Sequence, residues 1–112
     1  MKRKCAFFGA LMFVYSSISF GANDGLINRV DFSGGNSYWG DEHSNLVQIK
    51  IEGGFEAENC SSEYAAIRKS ETHLISAVLA AFSGDKRITV FLSKSEKYYN
   101  DRCIITDLFI NK

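Results

Sequence analysis

The chain has 112 residues, 46% of them apolar, with 13 basic and 13 acidic residues and a formal net charge of zero. That length carries one small domain, and the absence of a basic run argues against a surface built for nucleic acid or an anionic membrane. Two histidines and three cysteines leave little material for a metal centre, and no cofactor is expected.

Met1 to Ala22 reads as a secretory signal peptide. Lys2, Arg3 and Lys4 form a positive n-region, and Ala6 to Ile18 is an uncharged apolar run, short for a membrane span. Cleavage is expected after Gly21 or Ala22, so the chain divides into a leader (1–22) and one domain (23–112), placed in the periplasm or outside the cell. Cys5 precedes the apolar run and leaves with the leader. The mature domain keeps ten basic against thirteen acidic residues, net −3. It also keeps two cysteines, Cys60 and Cys103, and an even count in an oxidising compartment predicts one disulfide between them.

The mature chain opens with Asn23-Asp-Gly25, a turn signal or frayed end. Leu26–Phe32 is expected as a strand, with Val30 and Phe32 on one face and Arg29 and Asp31 on the other. Ser33–Ser37 is a turn, and Gly40–Asn45 a polar loop. Leu46–Glu52 alternates cleanly, with Val47, Ile49 and Ile51 inward and Gln48 and Lys50 outward. Gly53-Gly54 ends it. Glu63–Ile67 suits a short strand better than a helical turn.

Ser70 is the expected N-cap of an amphipathic helix, with Glu71 where the helix dipole favours an anion. Leu74, Ile75, Val78, Leu79 and Phe82 make its apolar stripe, and Gly84 is expected as the left-handed residue that ends it. The opposite face, Ser76, Ala77, Ala80 and Ser83, has no charge. Either these are small exposed residues or a second subunit covers them. Arg87–Ser93 is a strand with Ile88, Val90 and Leu92 inward. Lys94–Arg102 is a charged, tyrosine-bearing loop, and Ile104–Ile110 is the last strand, with Ile104, Thr106, Leu108 and Ile110 on one face. One helix among five short strands gives the fold class: α+β, mainly β, as a small OB-like antiparallel barrel or curled sheet.

No catalytic constellation emerges. Ser37 in Gly35-Asn-Ser-Tyr-Trp-Gly40 misses the Gly-x-Ser-x-Gly spacing, and no strand-to-helix turn surrounds it. His43 and His73 lack metal-type partners. The chain is therefore expected not to be an enzyme. Two patches suit binding instead. One is Tyr38, Trp39, Asp41, Glu42 and His43, and the other is Tyr98, Tyr99, Asn100, Asp101 and Arg102. Tyr38, Trp39, Asp41, His43, Tyr98, Tyr99 and Asn100 are the ligand-binding candidates, because aromatic faces beside hydrogen-bonding groups match the apolar face and hydroxyl rim of a sugar. Trp39 is also large enough to plug the core, which is where it is expected. At least one of Tyr98 and Tyr99 is expected in solvent.

The strands Leu26–Phe32 and Val47–Ile51 before Cys60, the helical run Leu74–Ala81 with its exit Gly84–Val90, and Cys103 before a final Ile/Leu strand together resemble small secreted bacterial proteins related to the B subunits of pertussis-like and subtilase-like toxins. The resemblance spans most of the mature chain as a pattern of elements and cysteines, without a signature motif. It implies an OB-type fold, a closed homo-oligomer (most often a pentamer), recognition of a sialylated or other glycan on a host cell, and delivery of a toxin A subunit, hence a role in virulence. This chain is shorter than such B subunits, has one expected disulfide, and carries no family sugar-binding residue at an assignable position. The alternative is a periplasmic interaction or inhibitor protein of the same fold without glycan binding.

Overall fold

The computed structural model describes residues 22–112. The expected leader lies outside them except for Ala22, which opens the first strand opposite Phe91. Five strands, β1 (Ala22–Phe32), β2 (Val47–Ile51), β3 (Ala65–Ile67), β4 (Arg87–Tyr98) and β5 (Arg102–Ile110), form a barrel, and one helix, α1 (Thr72–Ser83), joins β3 to β4. Around the barrel the order is β1-β2-β3-β5-β4, closed by β4 on β1. All pairings are antiparallel except β3 with β5, which run parallel through the single pair Ala66 and Ile104. This is a mainly β, OB-like fold.

The alternation that marked β2 and β4 fills the barrel. Ile49, Ile88 and Val90 are fully buried beside Ile51 and Leu92. The Cys60–Cys103 disulfide is present, with the Cα atoms 5.5 Å apart, and it packs into the same core.

Four expectations need correction. First, Asn23-Asp24-Gly25 is strand rather than turn. Those residues pair with β4, and Asn23 is buried, accepting the Glu56 backbone N–H through Oδ1 at 2.8 Å. Gly25 is required there, since a Cβ would sit 2.7 Å from the Glu52 carbonyl oxygen. The register breaks between Ile27 and Arg29, where β1 turns from β4 towards β2. Beyond the break Val30 still touches the core but Phe32 runs out of it, 55% exposed.

Second, the expected loop Lys94–Arg102 is mostly β4, leaving residues 99–101 as a tight turn with Asn100 and Asp101 in the left-handed region. The pairing of β4 with β5 is irregular between Leu92 and Lys97, where the Ser93 hydroxyl accepts the N–H groups of Ser95 and Glu96. Such local bonds replace ladder bonds and hide the strand period. Third, the single β5 face does not exist. Asp107 opposes Phe91 while Ile105 opposes Leu92, so one extra residue bulges. Ile105 enters the core, Ile104 faces outward, and Ile110 is exposed.

Fourth, α1 is rotated from its expected seat. It packs against β1 and β5 through Leu74, Val78 and Ala81. Ile75 is half-buried, whereas Leu79 and Phe82 stand exposed at 40% and 41%. A row at i, i+4 and i+7 is all that a small barrel can cover. Glu71 rather than Ser70 holds the N-cap position, with its carboxylate bound by Arg68 at 3.0 Å. Gly84 keeps φ at −97°, and Asp85 takes the left-handed turn at 52°. Lys86 N–H to the Ala81 carbonyl and Asp85 N–H to that of Phe82 complete a Schellman closure.

Candidate binding face

Cross-strand partners share a face of a sheet. The register sets Arg29 opposite Lys50, Asp31 opposite Gln48, Gln48 opposite Ala66, Ala66 beside Ile104, and Tyr98 opposite Arg102. With Ile49 and Ile51 filling the interior, these residues form one outer wall crossing the whole sheet.

A chain of hydrogen bonds ties the wall together. Arg29 Nε donates to Asp31 Oδ1 at 2.6 Å, Gln48 Nε2 donates to Asp31 Oδ2 at 3.0 Å, and Arg102 Nε donates to Gln48 Oε1 at 2.6 Å. The Arg29 guanidinium is held above its ordinary pKa, first by the hydrogen bond to Asp31 and then by that carboxylate's charge. Gln48 faces outward as expected but is only 3% exposed, because Asp31 and Arg102 close over it. The Arg102 guanidinium lies 4.7 Å from the Tyr64 ring and 4.9 Å from the Tyr99 ring, and Lys50 Nζ lies 5.4 Å from Tyr64. Aromatic contact on two faces fixes the plane of that cation.

The two connections that carry the expected ligand residues meet at this wall. The β1–β2 connection holds Tyr38, Trp39 and a 3₁₀ turn, Asp41–His43, shaped by Gly40 at φ 112° and by Asn45 N–H bonding to the Gly34 carbonyl at 2.9 Å. The β4–β5 turn holds Tyr99, and the His43 and Tyr99 rings touch edge to face at 4.9 Å. Tyr38 and Asp41 are exposed, as is Asn100 at the turn. Trp39 is not a core residue. It is 72% exposed, edge-on to Tyr38 at 4.9 Å, with its backbone N–H donating to the Ser37 hydroxyl. Neither Tyr98 nor Tyr99 stands free in solvent, since both are half-buried against Leu46, Ala66 and Ile104.

Between the β1–β2 connection and the wall lies a cleft of about 280 Å³, lined by residues 29–33 together with Trp39, His43 and Gln48. Phe32 and Trp39 bring exposed aromatic surface to it. Arg29, Asp31, Ser33 and His43 bring donors and acceptors. Its volume lies just under the range of roughly 300–1,000 Å³ usual for drug-sized ligands, so it suits one small ring or the end of a chain. A larger groove of about 490 Å³ runs past Tyr98 between residues 68–70 and 95–97. Tyr98 is the one aromatic residue in its lining, whereas the smaller cleft combines Phe32, Trp39 and His43 with a polar rim, which makes the smaller cleft the better candidate.

Sequence reasoning found His43, Trp39 and Tyr99 but missed Arg29, Asp31, Phe32, Gln48 and Tyr64, and it left Arg102 inside a patch without advancing it. For Arg29, Asp31 and Gln48 the only sequence signal is their polar character at outward strand positions, which solvated strands show equally, and Phe32 and Tyr64 carry none. Of the seven expected ligand residues, Trp39 and His43 line the cleft, Tyr99 reaches it through the His43 ring, and Tyr38, Asp41, Tyr98 and Asn100 are not among the cleft residues. Among the described residues no group of three or more His, Cys, Asp and Glu is placed to hold a metal ion, and no helix is long and apolar enough to cross a membrane. Comparison with protein-family models, with curated proteins and with solved structures finds no match to the chain.

Proposed function

We propose that the domain is a secreted, non-enzymatic binding module that takes a glycan in the cleft between the β1–β2 connection and the outer wall of the barrel. The observation that carries this reading is the pairing of two exposed aromatics, Trp39 and Phe32, with the polar rim of Asp31, Ser33 and His43 around one small cleft. Aromatic faces pack on the C–H face of a pyranose, while carboxylate, hydroxyl and imidazole meet its hydroxyls. In OB-type barrels this wall and the β1–β2 and β4–β5 connections are the usual seat of oligosaccharide recognition. The resemblance to toxin B subunits adds a host-cell glycan, a partner A subunit and a closed ring, most often of five copies. The uncharged outer face of α1, with Ser76, Ala80 and Ser83 exposed beside Leu79 and Phe82 and Ala77 half-buried, supports contact with neighbouring subunits.

A second reading, a periplasmic interaction or inhibitor protein without glycan binding, draws on the other side of the barrel. There Phe91 and Phe109 pack at 5.5 Å on the outer face, with Phe109 54% exposed, a surface suited to a protein partner. A glycan array probed with the mature protein tests the first reading. Trp39→Ala is expected to weaken any captured glycan about tenfold or more, the scale of a lost aromatic hot spot. An array without a single wild-type signal overturns the glycan reading.

A further inference from the structure

The barrel has one weak seam. β1 pairs at length with β2 and β4, and β4 with β5, but β3 holds β5 through Ala66 and Ile104 alone. The Cys60–Cys103 bond spans that seam. It also joins the two segments that enclose the Arg102 guanidinium. Cys103 directly follows Arg102. Cys60 opens the turn that delivers Tyr64, in which the Ser61 hydroxyl accepts the N–H groups of Glu63 and Tyr64 at 3.1 and 3.2 Å. Residues 58–64 run between the buried Ala57 and Ala65, and Phe55 N–H bonds to the Ser62 carbonyl at 2.9 Å; across the seam, besides Lys94 Nζ at 4.0 Å from Glu58, the remaining ties are few. Ser61 N–H donates to the Asp101 carbonyl at 2.6 Å, and Lys97 Nζ bridges the Asn59 carbonyl at 2.7 Å and the Asp101 carboxylate at 3.1 Å. Tyr64 is thus held on Arg102 from a segment that has no regular secondary structure between β2 and β3.

We propose that the disulfide is a reductively released latch on the binding face, a reading that rests on the ligand site described above. With the bond closed, Tyr64 and Tyr99 fix Arg102, and Arg102 fixes the Gln48 amide that lines the cleft. With it open, residues 58–64 shift between their buried ends at Ala57 and Ala65, the Tyr64 ring leaves Arg102, and the relay from Arg102 through Gln48 to Asp31 loses its anchor, while β3 stays on β2 and the long β1, β2, β4 and β5 pairings keep the barrel. The co-reactant is a dithiol. Its thiolate attacks the sulfur of Cys60, the partly exposed partner, because Cys103 is fully buried. The Cys103 sulfur leaves as a thiolate and takes a proton. The reductant's second thiol then attacks the mixed disulfide, closes its own disulfide and frees the Cys60 thiol. Two electrons and two protons pass from the dithiol to the protein.

The test uses the mature protein with and without excess dithiothreitol at low temperature. Three readouts are taken: far-ultraviolet circular dichroism, the Arg102 Nε–Hε resonance, and affinity for a glycan selected on the array. On reduction the dichroism is expected to persist, the Arg102 resonance to move to the position of a solvated arginine, and affinity to fall about tenfold. Tyr64→Ala in the oxidised protein is expected to reproduce the last two changes with the bond intact. An unmoved Arg102 resonance in reduced, folded protein overturns the latch whether or not any glycan binds, which separates its failure from that of the glycan reading. Loss of the dichroism on reduction makes the bond a staple of the entire barrel and overturns the latch as well.

Discussion

Replacing Gln48 with leucine removes the middle of the polar relay and leaves an apolar side chain of similar bulk, one atom shorter. Gln48 is 3% exposed and makes two hydrogen bonds, both to charged partners, at 3.0 Å to Asp31 and 2.6 Å to Arg102. Bonds to charged groups contribute about 1.5–3 kcal/mol each. The loss is smaller than their sum. Asp31 retains Arg29, with its own side chain 21% exposed, and Arg102 retains both tyrosine faces, so water and the surviving contacts compensate roughly half. Leucine also returns about 0.8 kcal/mol for each methylene-sized group it buries. The expected net cost is about 2 kcal/mol, or a fall in Tm of about 8–16 °C for a domain of this size. Urea denaturation reads it as a lower midpoint at unchanged slope. A cycle with Arg102→Met, alone and combined with Gln48→Leu, should show a coupling of about 1–2 kcal/mol. A single-variant cost below about 0.5 kcal/mol, or strict additivity in the cycle, refutes the claim that the relay organises the wall.

Further outcomes are expected elsewhere. The Cys60→Ser/Cys103→Ser variant loses about 4 kcal/mol in equilibrium unfolding, the chain-entropy value for a loop of 43 residues; a loss under about 1 kcal/mol contradicts it. Gly25→Ala forces a Cβ to within 2.7 Å of the Glu52 carbonyl and should cost about 1–3 kcal/mol as an overpacked backbone contact; an unchanged Tm shows that the two strands can part there without penalty. Ala80→Glu on the exposed face of α1 leaves monomer stability within about 0.5 kcal/mol but weakens self-association in light scattering, and a wild type that stays monomeric at high micromolar concentration removes the ring from consideration.

The legible parts of this fold are those where one face of a regular element meets one environment. Val47, Ile49 and Ile51, and again Ile88, Val90 and Leu92, alternate because each second residue enters the same barrel. Leu79 and Phe82 misled because an apolar row beside the packed row has the same helical period, and only the barrel's width decides which row is covered. The β5 bulge at Thr106 shifts the inward phase by one residue, and nothing in Ile-Ile-Thr-Asp-Leu announces it. The residue types of the site were readable, since His43, Trp39 and Tyr99 sit in polar, aromatic loops. Their meeting was not, because it depends on how the barrel brings the first and last connections to one end. Gln48 was unreadable for the same reason: the arginine that buries it lies 54 positions away.

Closure of the barrel by β1 on β4 has a consequence in time. Asp24 and Thr89 share a hydrogen bond across 65 positions of sequence, and β1 needs both its near neighbour β2 and its distant neighbour β4. A chain emerging from its N-terminus presents β1 first and satisfies it last. Non-local pairing of this kind places folding in the slow range, about milliseconds to seconds, and through that interval one side of β1 is an open strand edge, the template on which another chain can add. Asp24 is the charge on the stretch of β1 that waits for β4, and a charged side chain is one of the devices that discourage a second copy from adding to such an edge.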